Sequence, residues 1–240
     1  MGQHWKLLSM ASIVLLAVCV CLWRLEHSTA LVAAAACPHD SQSALAELRM
    51  GNERFVKSAR TTSCDTGHDG VNRHQTAQVQ HPFVAVLCCA DSRVCPEFIF
   101  DLRAGSIFEI RNAGNLVDDD VLASLEYAVE HLHVPLILVV GHKGCGAIQA
   151  VFEANVKTFP GHLSELQKHI ANASLHGIEP DTQPSAELLN QLSKENAKAQ
   201  AAILLHASDV IKAAVDSRQV RVLYGIYDME TGSVDFFDLE

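Results

Sequence analysis

Two uninterrupted apolar runs, Phe83 to Leu87 and Leu136 to Val140, constrain this chain most. Each follows a proline, Pro82 or Pro135, and each gives way to a loop rich in Cys, Asp or Gly. Short apolar runs bounded in this way read as strands buried on both faces, a condition met in parallel sheets covered by helices. The stretch between them supports that reading. Ser106–Arg111 alternates as a further strand, and Asp118-Asp119-Asp120 places carboxylates at a helix start, where the helix dipole favours them. Val121, Leu125, Ala128, Val129 and Leu132 then share one face of that helix. A β-α-β order implies parallel pairing with a right-handed crossover. If the two buried strands are neighbours, their loops leave the same carboxyl edge, where open α/β sheets bind ligands.

The flanking segments complete an α/β domain. Leu45, Leu48, Asn52, Phe55 and Val56 recur at helical spacing, which predicts an amphipathic helix over 41–59. Residues 61–80 are polar and read as loop, and Pro96 starts a short helix through Phe100. A helix is expected from Ala147 to about Asn155, and a helical pattern runs over 161–217, broken near 177–184. Val220–Tyr227, a turn at Asp228–Gly232 and Ser233–Phe237 form a hairpin that adds an antiparallel edge strand. The expected architecture is a central, mostly parallel sheet flanked by helices.

Residues 1–36 stand apart. His4 and Lys6 precede an uncharged run from Leu7 to Trp23, and Ala33-Ala34-Ala35-Ala36 follows. This is the pattern of a secretory signal peptide, with an uncleaved membrane anchor as the alternative. Either way the folded domain, 37–240, is expected outside the cytoplasm, periplasmic or secreted, with membrane contact only through an uncleaved N-terminal segment. With 49% hydrophobic residues the chain can fill a core, and a net charge of -10 argues against nucleic acid as a partner. The eight cysteines are too sparse for a disulfide scaffold.

The chemistry concentrates in the two loops. His142 and Cys145 lie three residues apart between Gly141 and Gly146, and Cys89 follows the first buried strand. Two thiols and one imidazole are the ligands of a catalytic zinc that keeps a fourth position open. Cys88, next to Cys89 on a strand, faces the other way and reads as a core thiol. Asp91 and Arg93 follow at two-residue steps. A bidentate Arg would keep that carboxylate ionised and oriented, either to accept a hydrogen bond from bound water or to take a place on the metal.

These residues resemble the β-class carbonic anhydrases. Cys89, Asp91 and Arg93 match that family's Cys-x-Asp-x-Arg signature, and His142, Cys145 and Gly146 match its His-x-x-Cys-Gly signature. Arg111-Asn112-Ala113-Gly114-Asn115 and Ser124 to Val129 fall in order between them. The resemblance implies reversible hydration of carbon dioxide by a zinc-bound hydroxide, with one zinc per subunit on Cys89, His142 and Cys145. It implies that Asp91 either occupies the fourth site in an inactive state or pairs with Arg93 and leaves it to water. It also implies a homodimer or homotetramer with active sites at subunit interfaces. Gln80, Phe108 and Tyr127 fall at the pocket-lining positions of plant-like members, beside Gly146. Cys95 also resembles that subgroup. Some members carry an inhibitory bicarbonate site that needs a Trp where this chain has Val86, although Arg111 matches its Arg. Two further readings remain: hydrolysis of carbon disulfide or carbonyl sulfide on the same fold, and a non-enzymatic zinc or redox-sensing protein.

Overall fold

The computed structural model describes residues 38–60, 76–154, 158–174 and 184–239. The N-terminal segment 1–36, most of the polar loop, and Cys19, Cys21, Cys37 and Cys64 lie outside the described residues. Among the described residues no helix is long and apolar enough to cross a membrane.

In chain order the elements are α1 (Ser41–Val56), β1 (Val84–Cys89), α2 (Pro96–Ile99), β2 (Ile107–Asn112), α3 (Asp119–Glu130), β3 (Leu136–His142), α4 (Gly146–Ala154), α5 (Leu163–Ser174), α6 (Ala186–Ala207), α7 (Asp209–Asp216), β4 (Arg221–Tyr227) and β5 (Val234–Asp238). The strands form one sheet in the order β2-β1-β3-β4-β5. The first four run parallel, and β5 pairs antiparallel with β4, as the hairpin pattern predicts. The two buried runs are indeed neighbours: Cys88 stands opposite Val140. From β1 the chain moves outward to β2, then returns past β1 to β3, so the strand order reverses between β1 and β3. Such a reversal opens a crevice at the carboxyl edge of the sheet.

Alternation along the strands sorts the core into two layers. Ala85, Leu87, Ile137, Val139 and Tyr224 pack with α3, α6 and α7 residues such as Leu125, Ala128, Ala201 and Ile211. Val84, Val86, Cys88, Leu138 and Val140 pack on the opposite face with Ala44, Leu48, Ile99 and Phe100 of α1 and α2. Side chains two apart on a strand share a face, which is why Cys88 and Cys89 part company here. A third cluster of Leu116, Ile148, Val151, Ile170 and Leu192 surrounds Cys89 and Cys145 at the sheet edge.

Capping residues set the helix starts. Asp40 caps α1, Asp118 caps α3 and Ser185 caps α6, each accepting a backbone N–H from the first turn. The helical pattern over 161–217 contains one break more than periodicity predicts. Ser208 leaves the helical conformation, ends α6 and caps α7 through Ile211 N–H. Its hydroxyl also donates to Glu126 of α3 at 2.6 Å, a tertiary contact that local spacing does not encode. Asn52 interrupts the apolar face of α1 for a similar reason. It donates to the carbonyls of Ile99 and Gly232 and accepts from Val234 N–H, tying α1 to α2 and β5.

Candidate metal centre

Cys89 ends β1, His142 ends β3, and Cys145 immediately precedes α4, its carbonyl accepting Gln149 N–H at 3.0 Å. The strand reversal therefore brings the three together, and their ligating atoms all lie within 4.8 Å of one another. The turn between His142 and Cys145 needs Gly144, whose φ of +63° is left-handed. Gly146 opens α4, and a Cβ there would meet nothing within 4 Å, so no tight backbone packing requires that glycine. All three candidate ligands are buried.

The donor set fits a zinc ion. The two sulfurs are 4.0 Å apart, close to the separation of about 3.8 Å that two 2.3 Å Zn–S bonds at a tetrahedral angle require. His142 Nδ1 lies 3.0 Å from the carbonyl of Lys143. That contact places the ring proton on Nδ1 and leaves Nε2 with a free lone pair. Nε2 is buried with no hydrogen-bond partner, a cost that a bound cation removes. Cys89 is drawn down by the hydrogen bond it shares with Cys145, against burial, and helped by Gly114 N–H. Cys145 is held high by the same contact and by burial. Two sulfurs this close can share a proton, which a divalent cation bound by both would displace. Among the described residues no fourth His, Cys, Asp or Glu joins this group.

Asp91 stands outside the ligand group, locked to Arg93. Arg93 Nε and Nη2 donate to the two carboxylate oxygens at 2.9 and 2.7 Å, and Arg93 N–H adds a third bond at 3.0 Å. The side-chain bonds to Arg93 hold the carboxyl well below the usual carboxylate range. Arg111 supports the same loop from β2: Nη2 donates to Asp91 O at 2.8 Å and Nε to Cys89 O at 3.3 Å.

The carbonic anhydrase family profile matches residues 84–234. Carbonic anhydrase 2 of Mycobacterium tuberculosis is 34% identical over 187 residues, which span 77% of this chain and 87% of that protein. The chain belongs to the β-class carbonic anhydrase family. The Coccomyxa β-carbonic anhydrase, solved in complex with acetazolamide, superimposes with a TM-score of 0.59 at 30% identity, over 81% of this chain and 84% of that one. A β-carbonic anhydrase of Sordaria macrospora, described as tetrameric, shares the fold with a TM-score of 0.63 at 24% identity, covering 72% of this chain and 92% of its own.

Of the residues expected to line the pocket, Gly146 adjoins Cys145, whereas Phe108 lies away from the metal ligands in this subunit. Phe108 stands opposite Ala85 in the sheet register, while Cys89 stands opposite Asn112. Four residues of strand, about 13 Å, separate the two positions along the sheet. Phe108 pairs with Tyr127 at 6.0 Å between ring centroids, and Tyr127 also packs on His131. Tyr127 is 45% exposed and Gln80 is exposed. At the position of the regulatory Trp, Val86 is fully buried in the α1-facing core. Cys88 is buried beneath Glu109, at 3.7 Å from its carboxylate, and burial pushes its thiol up. Cys95 is half-buried and sits 3.7 Å from Glu97.

Motif reading names Asn112 and Gly114 without a role and passes over Asn196 and Gln200. Gly114 N–H donates to Cys89 Sγ at 3.4 Å. Asn112 brackets the same loop through both Leu116 N–H and Leu116 C=O. Asn196 and Gln200 are buried on α6 and bond to residues 114 and 117. Their signal is present in the sequence as two amides, four residues apart, on a helix face that is otherwise apolar except for Ser193.

Proposed function

We propose that this protein interconverts carbon dioxide with bicarbonate and a proton, with one zinc per subunit held by Cys89, His142 and Cys145. The observation that carries this reading is a three-ligand cluster at the strand reversal with Asp91, already locked by Arg93, beside it. Zinc supplies Lewis acidity that makes water a nucleophile near neutral pH. Asp91, kept ionised, is an acceptor without a proton of its own. It orients the reacting water and favours the protonated oxygen of bicarbonate. Arg93 and Arg111 keep that carboxylate from swinging freely, one by its side chain and one through the backbone. Leu116 and Ile148 pack with Cys89 and Cys145, and apolar surroundings of this kind suit a small, uncharged, linear substrate. An intact Asp91–Arg93 pair has no task in a storage or redox-sensing site.

The pocket is completed in a dimer or tetramer. In this reading the exposed Tyr127, with Phe108 and Gln80, faces a site across the subunit interface. Residues 1–36 carry the chain out of the cytoplasm, as a cleaved signal or as an anchor. The deciding experiment measures initial rates of carbon dioxide hydration on purified protein and counts zinc in the same sample. Carbon disulfide and carbonyl sulfide are run in parallel. One zinc per chain with hydration and no turnover of the sulfur gases is expected. Zinc-loaded protein inert toward carbon dioxide would remove the assignment.

A further inference from the structure

Residue 114 uses both of its backbone groups. Its N–H donates to Cys89 Sγ at 3.4 Å, and its C=O accepts from Asn196 Nδ2 at 2.8 Å. Its φ of +81° sets the angle between the two, and an added Cβ would press on Ile170 at 3.2 Å. Asn196 is fully buried on α6, 82 residues away in sequence. Its own Oδ1 accepts from Gln200 Nε2 at 3.3 Å, and Gln200 Oε1 accepts from Val117 N–H at 2.8 Å. The two amides therefore hold both ends of the segment from 114 to 117. The helix itself is seated firmly: it packs so close to β3 that a Cβ on Gly141 would lie 3.1 Å from Ala197 Cβ and from the carbonyl of Ser193.

We propose that Asn196 is a positioning residue for the metal centre: by holding the carbonyl of residue 114 it aims Gly114 N–H at the sulfur of Cys89. This rests on the assignment of Cys89 as a zinc ligand. A hydrogen bond to a ligating thiolate withdraws charge from it and fixes its direction, and outer groups of this kind typically change metal affinity 10–100-fold when removed. Buried amides that merely filled space would be dispensable to the metal. An amide that directs a donor is not.

The test uses full-length protein loaded with cadmium-113 in place of zinc. An N–H···S–metal hydrogen bond gives the Gly114 amide proton a measurable coupling to the metal nucleus. Asn196→Leu keeps the branching of the side chain and removes the donor. The coupling is expected in the unaltered protein and is expected to shrink or vanish in Asn196→Leu, with zinc affinity 10–100-fold lower by chelator competition. Ser193→Ala, equally buried on α6 but bonded within its own helix to Leu189 O, is expected to leave both unchanged. Gln200→Met, which removes the brace on Asn196, is expected to shift both readings in the same direction, and it decides the matter if Asn196→Leu does not fold. Absence of coupling in the unaltered, cadmium-loaded protein overturns the proposal. So does a folded Asn196→Leu variant with unchanged coupling and zinc affinity. Unaltered protein that takes up neither metal overturns the zinc assignment itself, a distinct result.

Discussion

At the scale of single residues the centre divides its labour. Cys89, His142 and Cys145 supply donors, and Asp91 supplies a fixed negative charge. His142→Ala and Cys89→Ser are each expected to abolish zinc retention, read by metal analysis after dialysis, because two remaining donors leave the ion under-coordinated. Asp91→Asn is expected to retain zinc while lowering kcat/KM at least about 100-fold, as loss of a proton-accepting group commonly does. Retained turnover in that variant would take Asp91 out of the chemistry. The native-state value of Asp91 lies below its ordinary value of 3.8, so its stabilisation is present above about pH 4 and fades as the pH falls further. Glu109 behaves in the opposite sense. Burial, and then the nearby Glu97, push it up to about 6 from 4.5, so the protonated form is favoured by folding. That stabilisation is complete below pH 4.5 and is lost as the pH rises through about 6. Glu109→Gln is therefore expected to flatten the stability–pH curve across this window and to raise stability at pH 7 by about 1–2 kcal/mol, measured by urea unfolding.

At the scale of elements, what matters is where strands and helices end. The two cysteines of the centre sit on a strand terminus and a helix start, and the imidazole sits on a second strand terminus. Each ligand is thus delivered by an ordered element on at least one side. Ser208 shows the same logic away from the site: it separates α6 from α7 and ties both to α3 through Glu126. Ser208→Ala removes the α7 cap and leaves a partly buried carboxylate without its hydroxyl donor. A loss of about 1–2 kcal/mol is expected in denaturant unfolding. The zinc ligands should be unaffected, since none of these contacts reaches them.

At the scale of the whole molecule, β2 is the outer edge of the parallel sheet, and the aromatic pair Phe108–Tyr127 lies beside it, with Tyr127 45% exposed. An exposed aromatic next to an open strand edge is a reasonable seat for a second copy of the chain. Sedimentation is expected to show a dimer or tetramer. Tyr127→Arg is expected to weaken that assembly and to depress turnover while zinc stays bound, a combination that a purely internal role for the ring would not produce.

The ligand identities, the strands that carry them and the helix starts were legible before any fold was known. They are local matters: two-residue alternation, a capping carboxylate, and three metal-binding side chains placed directly after apolar runs. Even the parting of Cys88 from Cys89 follows from the pleat of one strand. Packing decided the rest. Asn196 and Gln200 could be seen as amides on an apolar helix face, but their partners are 82 and 83 residues away and are chosen by how α6 sits on β3. Arg111 is part of a recognisable motif, yet its donation to the carbonyls of Cys89 and Asp91 depends on the pairing of β1 with β2. A side chain's type is written in the chain. Its hydrogen-bond partner across the core is set by the three-dimensional arrangement, because nothing in a neighbouring stretch of sequence carries the distance between them.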